Sequence, residues 1–120
     1  MYSATEELVK WLVAKQYSAY TYPPKTGSEF VTVERTGGAV TDKVDHPTFA
    51  IQAWAQSIDR AEAMCIEIRN ALVTGDVPTG FSTRVDAESM YPFYDESTRL
   101  PRYQLVINCT TQLTAVGITS

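Results

Sequence analysis

The stretch that decides the fold runs from Phe30 to Ile68 and reads FVTVERTGGAVTDKVDHPTFAIQAWAQSIDRAEAMCIEI. Apolar and polar residues alternate from Phe30 to Arg35 and again from Thr48 to Gln56, which predicts two β-strands that each bury one face. Gly37 and Gly38 stand between these strands, and their backbone freedom predicts a hairpin-type turn that ends the first strand. The stretch carries no catalytic set of residues, so it is informative about the fold and not about catalysis.

Two helical patterns flank this unit. Ser3 and Glu6 form a capping box at the start of a helix predicted from Ala4 to about Tyr17. A second helix is predicted from its cap, Ser57, to about Thr74, and Gly75 supplies the C-terminal stop. The apolar stripe of this second helix has helical spacing and consists of Ile58, Ala61, Cys65, Ile68 and Leu72.

Three further strands are predicted within residues 18–22, 81–90 and 102–112, and a long connection from Tyr91 to Pro101 joins the last two. The predicted order is therefore α-β-β-β-α-β-β. Because strands joined by loops favour antiparallel pairing, we expect an α+β fold in which two helices cover one face of a mainly antiparallel sheet of four or five strands. Residues 1–113 would form this single domain, and residues 114–120 a flexible tail.

Composition excludes several classes of protein. The chain has 120 residues, 44% of them hydrophobic, and a net charge of -4, which suits one globular domain and argues against general nucleic-acid binding. No apolar run approaches the roughly 20 residues of a membrane span, and we expect no signal peptide. Cys65 and Cys109 each take an apolar position, which predicts two buried free thiols, with a disulfide as the alternative.

Groups that could carry chemistry are few. The single histidine, His46, precedes Pro47 and is expected to be a solvated or strand-entry residue, with a role as a base beside Asp45 as the alternative. Neither a nucleophile elbow nor a phosphate-binding loop occurs. The acidic residues Asp42, Asp45, Asp86, Glu88, Asp95 and Glu96 could form a metal site or a glycosidase pair. Alternation instead places Asp86 and Glu88 on the solvated face of a strand, where Arg84 supplies a counter-charge. We therefore expect no catalytic residue, no metal and no cofactor.

Aromatic residues outside the apolar stripes raise a different question. Tyr91, Phe93 and Tyr94 share one proline-bounded connection, and Trp54 lies on the strand face opposite the apolar one. These rings either anchor the connection to the core or contact a partner, since aromatic residues are enriched in interfaces. The interface candidates are Trp54, Gly37, Gly38, Asp42, Asp45, Tyr91, Phe93, Tyr94 and Arg99. The segment from Thr36 to Pro47 is also predicted to be a loop that becomes ordered on assembly.

A family resemblance rests on short motifs in a fixed order. They are Phe30-Val-Thr-Val-Glu-Arg-Thr-Gly-Gly38, Asp45-His-Pro47, Ala53-Trp-Ala-Gln-Ser57, the helix with Ala61 and Ala63, and Arg102-Tyr103. This pattern, which covers nearly the whole chain, is similar to the tail terminator, or tail-completion, proteins of long-tailed bacteriophages.

The resemblance implies a structural subunit rather than an enzyme. Copies of such a subunit would form a ring, usually a hexamer, that caps the tail tube in the virion after assembly in the host cytoplasm. Its partners would be the major tail tube protein and a neck or head-completion protein. DNA would pass through the ring without specific binding, and no membrane would be involved. The alternatives are a head-closure or head–tail adaptor protein of the same neck, and a small cellular α+β ligand-binding domain or hydrolase.

Overall fold

Two helices and six strands make up the part of the chain that the computed structural model describes, which is residues 2–41, 44–93 and 100–112. In chain order they are α1 (Ala4–Ala14), β1 (Ala19–Tyr20), β2 (Phe30–Thr41), β3 (Val44–Trp54), α2 (Ile58–Val73), β4 (Asp86–Pro92), β5 (Arg102–Asn108) and β6 (Thr111–Gln112). The α+β prediction is confirmed, with β6 as one strand more than expected because the last predicted strand is interrupted after residue 108. The predicted domain boundary at residue 113 and the tail lie outside the described residues.

The strands form one sheet in the order β1-β2-β3-β5-β4, with β6 alongside β3. All neighbouring strands except one pair run antiparallel, as predicted. The exception is β1, which pairs with β2 in parallel, so that Ala19 lies opposite Val31. Residues 21–29 return the chain to the same end of the sheet before β2 begins, which allows this short parallel contact. The sheet is therefore mixed rather than wholly antiparallel.

The hairpin of β2 and β3 is longer than the sequence predicts. Gly37 and Gly38 do not end β2, which continues to Thr41, and β3 begins at Val44 rather than at residue 48. Residues 36–41 and 44–48 pair with each other across the hairpin, so the predicted turn at the glycines and the predicted loop are both wrong for these residues. The two residues that connect the strands, 42 and 43, lie outside the described part of the chain.

Close approach of the two strands explains one of the two glycines. Gly38 has a φ of +120°, and a Cβ atom added to it would lie 2.2 Å from the carbonyl oxygen of His46 and 2.8 Å from Cα of Pro47. A Cβ atom added to Gly37 would meet no heavy atom within 4 Å. Between Arg35 and Gly37 the pairing register shifts, which is a β-bulge that takes up one residue of β2. Gly38 therefore marks a tight strand contact and not a turn.

The ends of the helices follow their caps. Ser3 caps α1 as predicted, but α1 stops at Ala14 because Gln16 adopts a φ of 75° and Tyr17 N donates a hydrogen bond to Leu12 O at 3.1 Å. This is the left-handed helix ending that glycine usually supplies, which is why the sequence places the end of α1 too late.

The second helix matches its predicted boundaries closely. Ser57 Oγ accepts a hydrogen bond from Arg60 N at 3.1 Å, which satisfies one of the unpaired N–H groups of the first turn. Gly75 has a φ of 99°, and Asp76 N donates to Ala71 O at 3.0 Å, so the helix closes with the glycine ending that the sequence predicts.

Both helices pack on the same face of the sheet, as predicted. α2 lies against β3, β4 and β5, and α1 lies against β1 and β2. The fully buried members of this one core include Leu8, Leu12, Val31, Val33, Phe49, Ile51, Met64, Ile68, Leu72, Leu105 and Ile107.

The two cysteines belong to the same core as buried free thiols, as predicted. Burial raises the pKa of Cys65 and of Cys109 to about 12. Both side chains therefore stay protonated at neutral pH and act as small apolar groups.

The strand predicted from Phe81 begins later, at Asp86, and extends to Pro92 in the predicted connection. Phe81 instead stacks on Phe49 in the core, with ring centres 6.2 Å apart, and makes a single bridge to Thr111. Residues 82–85 then carry the chain from this anchor to the edge of the sheet beside β5. The alternating apolar positions of this segment therefore bury Phe81 and Val85 in the core without forming a continuous strand.

Candidate functional site

The most distinctive side chains lie on the face of the sheet that the helices leave uncovered. The register of β2, β3 and β5 sets their even-numbered residues side by side on this face, and β4 adds the residues opposite them. We call this surface the helix-free face and define it by Phe30, Thr32, Gln52, Trp54, Tyr91, Phe93, Arg102 and Gln104.

A row of hydrogen bonds crosses four strands of the helix-free face. Thr32 Oγ1 donates to Gln52 Oε1 at 3.5 Å, and Gln52 Nε2 donates to Gln104 Oε1 at 2.7 Å. Gln104 Nε2 donates in turn to the Tyr91 hydroxyl at 2.5 Å. Arg102 Nη1 adds a second donor to Gln52 Oε1 at 3.1 Å. Because each group fixes the orientation of the next, the row holds the side chains in one arrangement.

Arg102 is stacked between two aromatic rings at one end of this row. Its guanidinium carbon lies 4.5 Å from the ring centre of Trp54 and 4.0 Å from that of Phe93, both within cation–π range. Trp54 also stacks on Phe30, with ring centres 5.3 Å apart, and its Nε1 donates to Thr32 Oγ1 at 3.0 Å. The stack and the hydrogen-bonded row therefore form one connected structure.

Exposure separates the supporting residues of this face from those that a partner could reach. Trp54 is only 5% exposed and Gln104 is also buried, whereas Tyr91 is 39% exposed. Phe93 and Arg102 are half-buried. The side chains of this face carry amide, indole, guanidinium and phenol groups, so it offers packing and hydrogen bonding.

The projecting hairpin has its own polar centre. Arg35 Nη1 and Nη2 each donate to a carboxylate oxygen of Asp45 at 2.7 Å, and Arg35 Nε donates to Gly37 O at 3.1 Å. The hydrogen bonds with Asp45 raise the pKa of Arg35 above its usual range, so the guanidinium stays charged. Asp45 is only 7% exposed. It therefore ties β2 to β3 across the bulge and is not a free surface carboxylate.

Replacement of Asp45 by asparagine is expected to lower the free energy of unfolding by roughly 1.5–3 kcal/mol, because two hydrogen bonds to a charged group are weakened and Arg35 keeps an unmatched charge. Asp86→Asn is the matched control, since Asp86 is an exposed carboxylate in β4, and its effect should stay within about 0.5 kcal/mol. Urea denaturation of both variants measures the difference. Equal midpoints for the two would show that the Arg35 contact does not hold the hairpin.

The interface candidates that lie within the described residues fall into two groups. Trp54, Tyr91 and Phe93 come together on the helix-free face. Gly37, Gly38 and Asp45 lie in the hairpin, the two glycines in β2 and Asp45 in β3. The other three candidates, which lie outside the described residues, are Asp42, Tyr94 and Arg99.

Sequence reasoning missed the residues that connect the aromatic ones. Arg102, Gln104 and Thr32 supply the stack and the hydrogen-bonded row, yet each lies on a different strand from Trp54. The signal available was that Gln52 and Gln104 both occupy the polar positions of alternating strands, where cross-strand pairs form.

The structure also bears on the histidine, on a possible metal site and on membrane-spanning helices. His46 lies in β3, where its ring nitrogens are 2.9 Å from Thr41 Oγ1 and 3.4 Å from Thr110 Oγ1. Across residues 2–41, 44–93 and 100–112, no three His, Cys, Asp or Glu side chains are placed to hold a metal ion together. None of the helices in those ranges has the length and apolar character needed to cross a membrane.

The sequence matches no protein-family model and no curated protein.

Proposed function

We propose that this protein is a structural subunit of the tail-terminator type. Copies of it would form a ring, of six as in that family, which caps the tail tube of a long-tailed phage and joins it to the neck. The family resemblance of the motifs motivates this proposal, and the helix-free face is the structural observation that carries it.

The composition and rigidity of the helix-free face are those of a protein–protein contact surface. Binding energy at such surfaces concentrates in Trp, Tyr and Arg side chains that are held in packed surroundings. Here Arg102 is clamped between Trp54 and Phe93, and Tyr91 is the exposed end of the hydrogen-bonded row. A partner that covers Tyr91 would meet a surface that is already ordered, so little side-chain entropy is lost on contact.

Charge is compatible with a ring that DNA crosses. Each copy carries a net charge of -4, so a ring of copies is strongly negative as a whole. Such a field repels the phosphate backbone and keeps passing DNA from binding the wall. The partners of the ring would be the tail tube protein on one side and a neck protein on the other.

Removing the gene from the phage or prophage genome that encodes the protein tests the function. We expect negative-stain electron microscopy to show tails longer than those of the parent, with few joined to heads, and a supplied copy of the gene to restore the parental particles. Tails of parental length beside unjoined heads would overturn the terminator role and favour the adaptor role in the neck. Unchanged virions would exclude both.

A further inference from the structure

The hydrogen-bonded row of the helix-free face has a direction that its chemistry fixes at one end. Trp54 has an indole N–H that can donate but cannot accept, and its Nε1 donates to Thr32 Oγ1 at 3.0 Å. The hydroxyl of Thr32 keeps its own proton for the next residue, and it donates to Gln52 Oε1 at 3.5 Å. The first link of the row can therefore run in one direction only.

Arg102 fixes the orientation of the Gln52 amide. A guanidinium group carries only donors, and Arg102 Nη1 lies 3.1 Å from Gln52 Oε1. If the amide were rotated by half a turn, its NH2 group would face the donors of Arg102, and two donors would oppose each other. The oxygen of Gln52 therefore faces Arg102, which turns its Nε2 toward Gln104.

The same counting of donors and acceptors fixes Gln104. Gln52 Nε2 lies 2.7 Å from Gln104 Oε1, a distance at which a donor requires an acceptor. Gln104 then has its NH2 group left for Tyr91, and Nε2 donates to the hydroxyl oxygen at 2.5 Å. Because Gln104 is only 8% exposed, its amide has little access to water as a substitute partner. The row therefore reaches Tyr91 as a donated hydrogen bond.

We infer that Tyr91 acts on its partner as a hydrogen-bond donor. Its oxygen accepts from Gln104, so its O–H proton is left to donate. Gln104 is the one hydrogen-bond partner of this hydroxyl within the described residues, and Tyr91 is 39% exposed. A surface that covers Tyr91 satisfies the proton only with an acceptor atom, and a buried hydroxyl proton without one costs free energy. The inference rests on the proposed function, since the partner is the protein that the helix-free face contacts in the assembly.

Charge beside the row favours an uncharged acceptor over a carboxylate. Glu34 and Asp86 lie on the same side of the sheet, and so does Glu88, whose Oε1 accepts from Asn108 Nδ2 at 3.1 Å. Against these three carboxylates, the strand register places one described arginine or lysine, Arg102, on this side. A partner carboxylate would therefore meet a surface of its own sign. The acceptor that fits is an uncharged carbonyl oxygen of the partner protein.

Reversing the row without removing Tyr91 tests the inference. Gln52→Glu places a carboxylate, which only accepts, beside the donors of Arg102 and Thr32. Gln104 must then turn its NH2 group toward this carboxylate and its oxygen toward Tyr91. The proton of Tyr91 is then used inside the row and is lost to the partner. Tyr91→Phe removes the same proton outright.

Binding to phage tails measures the loss. Purified protein is sedimented with headless tails from the phage that lacks the gene. We expect Tyr91→Phe and Gln52→Glu each to weaken binding roughly threefold to tenfold, because each removes one hydrogen bond to the partner. The double variant should bind no more weakly than either single one, since both lose the same donor. Gln56→Glu is the matched control, because it adds the same charge at an exposed glutamine outside the row, and its effect should stay within about twofold.

Nuclear magnetic resonance of the free protein checks the direction of the row without any partner. The side-chain amide protons of Gln104 should show nuclear Overhauser effects to the ring of Tyr91 in the parent protein and lose them in Gln52→Glu. Amide protons of Gln104 that face residue 52 in the parent would overturn the inference. Should Gln52→Glu fail to fold by circular dichroism, the parent spectrum and the binding of Tyr91→Phe decide it.

The binding results also separate this inference from the proposed function. A parent protein that does not bind tails would overturn the proposed function, and this inference with it. If the parent protein binds and Tyr91→Phe binds equally tightly, the inference is wrong while the function stands. A loss in Tyr91→Phe that shrinks as salt rises from about 0.05 M to about 0.5 M would indicate a carboxylate acceptor and contradict the uncharged carbonyl.

Discussion

Replacing Gly38 with alanine is expected to lower the free energy of unfolding by roughly 2–5 kcal/mol. The added Cβ atom would lie 2.2 Å from the carbonyl oxygen of His46, and the φ of +120° is strained for any residue with a side chain. Neither strand can move away without opening the hairpin, because the clashing atoms belong to the backbone.

The neighbouring glycine is the matched control for this change. Gly37→Ala introduces the same methyl group where no heavy atom lies within 4 Å, so it should be neutral or stabilising by up to about 1 kcal/mol. Urea denaturation of the two variants in parallel measures the contrast. Equal losses of stability in the two variants would mean that both glycines provide chain flexibility. The close contact between the strands would then not explain why position 38 needs a glycine.

Leu72→Ala is expected to cost roughly 2–5 kcal/mol of unfolding free energy. Leu72 is fully buried in the core between α2 and the sheet, and its removal leaves a cavity that the packed strands cannot fill. Val73 is the control, because it is the next residue of the same helix and is 47% exposed. Val73→Ala should change stability by less than about 0.5 kcal/mol. Similar midpoints for the two variants would reject this orientation of α2.

Local signals in the sequence were enough for α2 and for the faces of β3. Ser57 caps the N-terminus of α2 and Gly75 ends the helix, so both signals lie at the helix ends. In β3 a strict alternation places Phe49 and Ile51 in the core and Gln52 on the other face. Periodicity predicts such features because each depends only on neighbours along the chain.

Features that depend on a second segment escaped prediction. The pair Gly37-Gly38 has the composition of a turn, and only the pairing of β2 with β3 reveals that Gly38 is there to admit the backbone of His46. The predicted end of α1 was wrong because Gln16 adopts a left-handed conformation with a φ of 75°, which a glutamine in the sequence does not predict.

The candidate site shows the same division. Trp54 was predicted to lie opposite the apolar face because alternation fixes that position. Its stacking on Arg102 could not be predicted, because the two residues are 48 positions apart and meet only through the register of β3 and β5. The ion pair of Asp45 could not be predicted either, because its partner Arg35 lies on the other strand of the hairpin.

The central claim is that this protein ends tail growth through the helix-free face, and the length of phage tails tests it most directly. The genome lacking the gene is supplied with a copy carrying Tyr91→Ala or, as the control, Tyr22→Ala, which removes a tyrosine that is 68% exposed elsewhere on the chain. The account predicts overlong, unjoined tails with Tyr91→Ala and parental virions with Tyr22→Ala. Parental virions with both variants would contradict the assignment of this face, and tails of unchanged length when the gene is absent would contradict the function itself.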